Sequence, residues 1–463
     1  SYYYWQLDYW KRRGIPGPTP TTFFGNMNSL NTGTNPAGFV IRKWTREYGK
    51  IYGIQEGLRR TLVVSDVNMA HELFSTKFDC FHGRKVMVTS PDPENDPHVH
   101  LFAARGVRWK RLRAAANPAF STGSMKKVCC NFYLSPLAYL AGYVWQTNRR
   151  TRFLTILILS FYKEFTMDVI YRLALGQSGS KMSVLRNPFL PCVKRNTPSI
   201  VLSTARSITL CDLSSCLRSD QVSDAYVRAG RAVESKRNES THGVPPEATD
   251  FIDLFLDVKA EQNFDNNAEF LKTGMKITKQ LTRSEIPAQC FVLLLAGFET
   301  TATSLAYITY LLAKHPAVQQ KLQAEIDEYC HEESIDYETL VNMKYIDCVI
   351  KESLRMYPLA GIANSRQCMK STTLGDVQVK EGEFVLVDTF SIHYDHNLWG
   401  EDADKFCPER WLKPSERPLA AFLSFGIGPR QCIGMRLALM EEKLVLAHLL
   451  KRFDIAATKD TDV

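Results

Sequence analysis

A cysteine inside a glycine-rich loop is the part of this sequence best suited to chemistry. The loop reads Phe425-Gly-Ile-Gly-Pro-Arg430-Gln-Cys432-Ile-Gly434, and a strongly amphipathic helix is predicted directly after it, over 435–453. Glycine permits positive φ angles and close approach of the backbone to a flat ligand. The positive end of the helix and the charge of Arg430 both lower the pKa of a neighbouring thiol. The loop therefore predicts a thiolate at Cys432, where a purely structural cysteine would not need this set of residues.

A long apolar helix predicted over 284–314 carries two residues that are costly in a core. Its centre reads Ala296-Gly297-Phe298-Glu299-Thr300-Thr301, with a glycine and an acid in mid-helix. One explanation is a helix with one wet face. The other is a local distortion of the helix over an iron centre, because a thiolate ligand pushes electron density into iron and favours O–O cleavage.

Two further pairs of residues share a helix face. Trp109 and Arg113 lie four apart in a basic helix predicted over 106–120, and Glu352 and Arg355 lie three apart before Pro358. Arginine binds a carboxylate through two N–H groups, and tryptophan adds one more donor. Taken alone, the first pair also fits a basic surface helix, and the second fits a surface ion pair that contributes little.

Together these motifs resemble the cytochrome P450 superfamily. Its cysteine-loop signature, Phe-x-x-Gly-x-Arg-x-Cys-x-Gly, is matched at every position by residues 425–434. The resemblance extends from the proline-rich segment near the start of the chain to residue 453. The stretches FSTKF (74–78), FTMDVIYRLALG (165–176) and DFIDLFLD (250–257) resemble the animal microsomal branch. Within that branch the sequence is most similar to the drug- and steroid-metabolising clan that includes thromboxane synthase.

The resemblance implies a haem b cofactor whose iron is bound by Cys432. It implies that Phe425 and Gly434 surround the cofactor and that Trp109 and Arg113 meet its propionates. Arg430 is the second propionate candidate. We find no arginine between Pro358 and Arg366 to match the one that many relatives place there, so this set of propionate ligands is incomplete.

The resemblance also assigns roles to the remaining motifs. Thr300 would donate a hydrogen bond to dioxygen in the site, and Glu299 would relay protons from solvent. Arg410, in Pro408-Glu409-Arg410-Trp411, would complete a buried triad with Glu352 and Arg355 that braces the cysteine loop.

The implied reaction is a monooxygenation that consumes a lipophilic organic substrate, dioxygen, two electrons and two protons. The electrons would come from an NADPH-dependent flavoprotein reductase, with cytochrome b5 as a second donor, at a basic face near Cys432. No Gly-x-Gly-x-x-Gly dinucleotide site is present, consistent with an external donor. Apolar side chains at Phe291, Leu294 and Ala296, and residues near Ile362, are expected to line the substrate pocket.

Two alternatives remain open. The first is a haem-thiolate isomerase that rearranges a peroxide without a reductase, against which Thr300 and Glu299 argue. The second is a non-catalytic or decayed haem-binding remnant. It is favoured by residues 129–160 and 192–222, which show no clean periodicity where relatives have helices.

Composition limits the other classes. The chain has 463 residues, of which 45% are hydrophobic, so it can bury a large core. Its net charge of +8 is too mild for a nucleic-acid binder. That charge fits either a solvated surface or a docking face for an acidic partner or an anionic membrane. The 12 cysteines have no zinc-like spacing and suggest a reducing compartment.

The predicted elements are mostly helices, with short strands over 51–65 and 373–388. The expected fold is therefore mainly α with a small β region, which the resemblance specifies as a triangular helical prism. A single helix is expected over 337–356. Residues 1–20, with aromatic residues beside a basic cluster and then GIPGPTP, are expected to be the end of a truncated membrane anchor and a proline hinge. Residues 21–463 are expected to form one domain on the cytoplasmic face of the endoplasmic reticulum membrane.

Overall fold

Helices make up most of the described chain, which confirms the mainly helical class. The computed structural model describes residues 2–30, 36–86, 92–126, 158–175, 230–231, 233–235, 251–256, 281–332, 334–413 and 416–457. The irregular stretch 192–222 and residues 129–157 lie outside the described residues. The described α-helices are α1 Tyr2–Leu7, α2 Tyr9–Arg12, α3 Met27–Leu30, α4 Ala37–Tyr48, α5 Val67–His71, α6 Gly106–Ala116, α7 Ile158–Leu175, α8 Phe251–Leu256, α9 Glu285–Lys314, α10 Pro316–Tyr329, α11 Tyr337–Asn342, α12 Tyr345–Met356, α13 Thr389–His393, α14 His396–Trp399 and α15 Met435–Leu450.

The strands form two small sheets within the described chain. The larger has the order β1-β2-β6-β3, and the smaller is the hairpin β4-β5. The β2–β6 pair is parallel and the other pairs are antiparallel. The strands are β1 Ile51–Glu56, β2 Arg59–Val64, β3 Ser365–Gln367, β4 Thr372–Leu374, β5 Val377–Val379 and β6 Phe384–Val387. The short strands expected near 373–388 are therefore present as β4, β5 and β6.

Helix α9 runs through the centre of the protein. It is the one described helix that is long and apolar enough to span a membrane. More than half of its most apolar stretch is nevertheless buried inside the protein. Its closest partner is α7. At Gly297 a Cβ atom would lie 2.8 Å from Cδ1 of Ile170, so glycine lets the Ile170 side chain pack directly against the backbone of α9. The mid-helix glycine thus has a packing reason that is independent of any bound group.

The segment predicted as one helix over 337–356 forms two, and that prediction is wrong. Helix α11 ends at Asn342, and Met343 adopts an extended ψ of 112°. The carboxylate of Glu325, on α10, accepts hydrogen bonds from the backbone N–H groups of Tyr345 and Ile346 at 2.6 and 2.9 Å. This cap comes from another helix and satisfies the first donors of α12. The periodicity of residues 337–356 does not indicate a cap that another helix contributes.

The proline-rich segment packs on the large sheet. The N–H of Gly53, in β1, donates to the carbonyl of Pro16 at 2.8 Å. A Cβ atom at Gly17 would lie 2.1 Å from the Gly53 oxygen. Before this segment, the indole of Trp10 donates to the carbonyl of Ile54 at 3.0 Å. The first residues of the described chain are therefore held against β1.

A fully buried carboxylate joins α12 to the loop that follows α14. Glu352 accepts hydrogen bonds from the guanidinium groups of Arg355 and Arg410, each at 2.9 Å. The indole of Trp411 also donates to it, at 2.9 Å, as does the N–H of Cys407 at 3.1 Å. With this many donors the buried charge is well compensated, so its loss leaves Arg355 without a counter-charge and leaves Arg410 with only Asp402, which is 47% exposed.

Replacing Glu352 tests how much of the fold this carboxylate supports. We expect Glu352→Gln to lower the free energy of unfolding by about 3–5 kcal/mol, because Arg355 would remain buried without a counter-charge and Arg410 would keep only the partly exposed Asp402. Urea unfolding followed by circular dichroism measures the change. The control is Lys321→Met, which breaks a solvent-exposed pair with Glu409 and should cost less than about 1 kcal/mol. Equal losses in the two variants would contradict the assignment.

Candidate active site

A large cavity lies between α6, α9, α15 and the cysteine loop. Its empty volume, counting the open mouth, is about 1530 Å³. The wall formed by α9 consists of residues that share one helix face: Leu293, Ala296, Gly297, Thr300, Thr301 and Ser304.

The cysteine loop forms a second wall, and Cys432 opens onto the cavity. The loop is closed by a hydrogen bond from the N–H of Cys432 to the carbonyl of Phe425 at 2.8 Å. Gly428 has a φ of +72°, and a Cβ atom there would lie 2.1 Å from the carbonyl oxygen of Phe74. The glycine at 428 is therefore required by the neighbouring backbone, where we had expected it to admit a flat ligand.

The protein alone does not hold Cys432 as a thiolate. Burial raises the pKa of the thiol, while the N–H groups of Gly434 and Met435 and the charges of Arg113 and Arg84 lower it only in part. The sulfur lies at the start of α15, as predicted, and the helix end contributes through those N–H groups. A metal bound at Cys432 would bind the deprotonated sulfur and would therefore supply the remaining stabilisation of the thiolate.

Arg430 is not among the largest influences on the pKa of the sulfur, where Arg113 and Arg84 are the arginines that lower it. Its guanidinium donates to the carbonyls of Phe102 and Ala104 and lies over the ring of Trp109, 4.7 Å from the centroid. It is almost fully buried and lines the cavity. Arg430 therefore connects the cysteine loop to the loop before α6.

Four arginines line one end of the cavity, namely Arg84, Arg113, Arg366 and Arg430. None of the four forms an ion pair with a carboxylate in the described part of the chain. The Nε atoms of Arg84, Arg366 and Arg430 are buried there without a hydrogen-bond partner. Burial is the main cause of their lowered pKa values, to about 10 for Arg84. Repulsion from neighbouring guanidinium groups adds to it. Such a cluster calls for a bound group with more than one negative charge.

Sequence reasoning missed two of these arginines. We found none between Pro358 and Arg366, but Arg366 itself, on β3, points its guanidinium into the cavity. Arg84 donates to the carbonyls of Ala363 and Arg430 at 2.8 and 3.1 Å. Strand β3 reads Ser-Arg-Gln and contains no apolar residue, so its sequence does not indicate a buried cation. Arg84 lies in a loop and gives no such signal either.

Helix α6 carries its functional residues on one face and its anchors on another. Trp109 and Arg113 line the cavity, and Arg113 also donates to the carbonyl of Gln431 at 2.9 Å. Arg108 and Arg111 bind the buried carboxylate of Glu285, at the start of α9, at 2.7–2.9 Å. This second buried triad, which the sequence did not reveal, sets the position of α6 relative to α9.

Thr300 and Glu299, which the sequence assigns to dioxygen binding and proton relay, lie in different surroundings. Thr300 lines the cavity, and its hydroxyl donates to the carbonyl of Ala296 at 2.6 Å. Glu299 does not line the cavity and instead pairs with Lys163 of α7 at 2.8 Å. Helix α9 is continuous through both residues, so the predicted local distortion is not observed.

The apolar lining differs from the expectation by one helical position. Ala296 lines the cavity as predicted, but Phe291 and Leu294 pack into the core beside it, and Val292 and Leu293 occupy the wall. Near the predicted position 362, the wall is formed by Leu359, Ala360 and Ala363. Helix α9 is buried on most of its sides. Its sequence pattern therefore does not indicate which apolar face is turned toward the cavity.

Known proteins match this chain along its whole length. A profile described as cytochrome P450 matches residues 15–463. Three Caenorhabditis elegans proteins named as cytochromes P450 are similar over 100% of this chain and 92% of their own length. They are CYP13A10 at 43% identity, CYP13A1 at 42% and CYP13A2 at 42%.

The cavity fits the cofactor of these proteins, which is haem. A haem group brings two carboxylates, and the unpaired arginine cluster supplies the donors for them. It also brings an iron atom that accepts a thiolate, and Cys432 opens onto the same cavity. Trp109, Arg113 and Arg430 would hold the propionates together with Arg84 and Arg366.

Removing one arginine of the cluster should stabilise the haem-free protein but weaken the binding of haem in the loaded protein. We expect Arg366→Leu to raise the melting temperature of the haem-free protein, because it relieves repulsion among buried cations. The same change should speed haem transfer to an acceptor apoprotein roughly tenfold, as expected for the loss of one charge-assisted hydrogen bond of about 1.5–3 kcal/mol. Arg46→Leu, at an exposed position of α4, is the control. Slower haem transfer, or a lower melting temperature without haem, would overturn this assignment.

Proposed function

The chain belongs to the cytochrome P450 family, whose members are haem-thiolate monooxygenases, and on that premise we propose that it inserts one oxygen atom of dioxygen into a lipophilic organic substrate. The observation that carries the proposal is that Cys432 and Thr300 line two walls of the same cavity. The sulfur lies on one wall, and a hydroxyl able to pass a proton lies on the helix that forms the other.

The protein groups divide the work in the proposed reaction. When bound, haem supplies the activation of dioxygen, and Cys432 supplies the sulfur ligand. Thr300 can hold or pass a proton at Oγ1, inside the cavity. Glu299 exchanges protons with solvent from the partly exposed side of α9, where Lys163 fixes its carboxylate. Because Glu299 lies outside the cavity and Thr300 lies inside it, protons can pass from solvent to the cavity while bulk water is kept out.

We propose that the substrate is a xenobiotic, a steroid or a fatty-acid-like compound. Many of the other side chains that line the cavity are apolar, among them Leu101, Phe102, Phe120, Ile170, Val292 and Leu359. A lining of this kind binds lipophilic molecules by burial of apolar surface. The sequence resemblance to the drug- and steroid-metabolising clan agrees with this substrate class.

The electrons are proposed to come singly from an NADPH-dependent flavoprotein reductase, with cytochrome b5 as a second donor. The acidic surfaces of such partners would meet the basic face next to the cysteine loop, where Arg436 is exposed one helical turn beyond Cys432. The net charge of +8 favours this encounter at low salt.

We propose that the protein works at the cytoplasmic face of the endoplasmic reticulum membrane. Phe23 is 74% exposed, and the neighbouring Phe24 and Leu58 are also more than half exposed. The N–H of Gly57 donates to the carbonyl of Phe24 at 3.1 Å, so the three apolar side chains belong to one surface patch. Residues 1–20 would connect this patch to the membrane, and residues 21–463 would form the single catalytic domain.

A reconstituted assay with isotopically labelled dioxygen tests the proposed reaction. We expect NADPH-dependent formation of a product that carries one labelled oxygen atom from lipophilic probe substrates, in the presence of the reductase. Thr300→Ala should consume NADPH but form several-fold less product per NADPH, because a proton donor is lost. The control is Thr303→Ala, a buried threonine of α9 outside the cavity.

Two results would replace the proposal with its alternatives. Turnover of an organic peroxide without NADPH, together with no labelled product, would indicate a haem-thiolate isomerase. Failure of the purified chain to take up haem would indicate a decayed remnant.

Vesicle binding tests the proposed membrane surface. Phe23→Ser with Phe24→Ser should weaken co-sedimentation with phosphatidylcholine–phosphatidylserine vesicles by roughly tenfold, since each phenyl group withdrawn from an apolar contact costs on the order of 1 kcal/mol. Leu419→Ser changes another exposed apolar side chain outside the patch and serves as the control. Equal binding by the two variants would place the membrane contact elsewhere.

A further inference from the structure

The end of the cavity at α15 contains two consecutive carboxyl groups. Glu441 and Glu442 both line the cavity, and Ser304 of α9 lines it beside them. Glu442 is 1% exposed and Ser304 is 3% exposed. Neither acid has a role in the proposed function. Buried acids without a cation partner are rare in folded proteins, so their position needs an explanation.

Two polar atoms of this cluster are left without partners. Oε2 of Glu442 and Oγ of Ser304 are buried without a partner in full hydrogen-bond geometry in the described chain, although the Ser304 hydroxyl lies close enough to Glu442 to favour its charged form. Both residues face the same cavity. Polar groups this deeply buried are nearly always satisfied by protein atoms or by an ordered water molecule. The pair of unpartnered atoms therefore marks a place for water and for a mobile proton.

Within the described residues no cation pairs with either carboxyl group. On the helices packed against α15, Asp347 pairs with Lys443, Glu352 with Arg355 and Arg410, Glu338 with Lys126, Glu285 with Arg108 and Arg111, Glu299 with Lys163, and Lys321 with Glu409, while Glu325 binds the start of α12. The remaining charged residues of these helices, Lys314, Asp327, Glu328 and Lys351, do not influence the pKa of either acid. Glu441 is influenced only by its own burial and by Glu442. Glu442 is influenced only by its burial and by Ser304. The arginine cluster of the same cavity affects neither.

The ionisation of the two acids follows from these surroundings. Burial raises the pKa of Glu442 to about 8, although Ser304 favours its charged form. Burial, followed by the neighbouring Glu442, raises the pKa of Glu441 well above the usual range. At neutral pH both groups are therefore mainly protonated and neutral.

We propose that Glu441, Glu442 and Ser304 form a proton-binding site that takes up a proton when the iron in the cavity is reduced. The proposal rests on the proposed function, which supplies the haem and the flavoprotein electron donor. One electron passes from the donor and converts ferric iron to ferrous iron. Where Glu442 is ionised, one proton passes from solvent to its carboxylate, so the net charge of the cavity stays constant; where both acids are already protonated, no proton is taken up.

The coupling is reciprocal. A carboxylate binds a proton more tightly after the cavity gains an electron, and the proton in turn raises the reduction potential of the iron by the same free energy. Below the pKa of Glu442 both redox states hold the proton, and the potential is independent of pH. As the pH rises through about 8 the ferric form loses the proton first, and the potential falls with pH.

Anaerobic potentiometric titration of the haem-loaded protein tests the site. We expect the reduction potential of the parent to be constant near pH 6–7 and to fall above about pH 8. Glu442→Gln, which mimics the protonated acid, should flatten the profile. Ser304→Ala should move the fall to higher pH, because the hydroxyl favours the charged carboxylate. Infrared difference spectra between the two redox states should show a deuterium-sensitive carboxyl band that Glu442→Gln removes.

A matched control is available on α7. Glu164 is also a buried acid with an unpartnered Oε2 and a pKa raised to about 7, but it does not line the cavity. Glu164→Gln should show the same dependence of the reduction potential on pH as the parent. A parent potential that does not vary with pH, or an unchanged profile in Glu442→Gln, would overturn the site while labelled-oxygen turnover could still succeed. A parent that binds no haem would overturn both proposals.

Discussion

The active site depends on one constraint, a cluster of four guanidinium groups that line the cavity without a carboxylate partner in the described chain. Arg84, Arg113, Arg366 and Arg430 come from four different segments and meet at one end of a single cavity. Their mutual repulsion opposes folding unless an anion joins them. A cofactor with two carboxylates satisfies the cluster and thereby fixes the position of its iron relative to Cys432. Cofactor binding and completion of the fold are then parts of one equilibrium.

Two other charge clusters hold the walls of this cavity in place. The carboxylate of Glu352 joins α12 to the segment before the cysteine loop, and Glu285 joins α6 to the start of α9. Each carboxylate is buried and is bound by two arginines. The cavity is therefore polarised, with cations at the propionate end and neutral acids at the α15 end. Protons can be handled at two places: at Thr300 and Glu299 near the substrate, and at Glu442 beside the far end of the cavity.

The sequence predicted what is encoded locally and missed what is assembled from distant segments. The cysteine loop and α9 were identified because their residues are contiguous, and the mainly helical class followed from periodicity. The break at Met343 was missed because Glu325 of another helix caps α12. Arg84 and Arg366 were missed because a cation cluster exists only after folding. Glu299 was expected in the site, but the side of α9 that it occupies is determined by packing against α7.

The most direct test is the difference spectrum of the reduced protein with carbon monoxide. The parent should give a strongly red-shifted Soret band, typical of thiolate-bound haem. Cys407→Ser, which changes a cysteine outside the cavity, should retain that band. Cys432→Ser should lose it. The same red-shifted band in Cys432→Ser, or its absence from the parent, would contradict the assignment of Cys432 as the iron ligand.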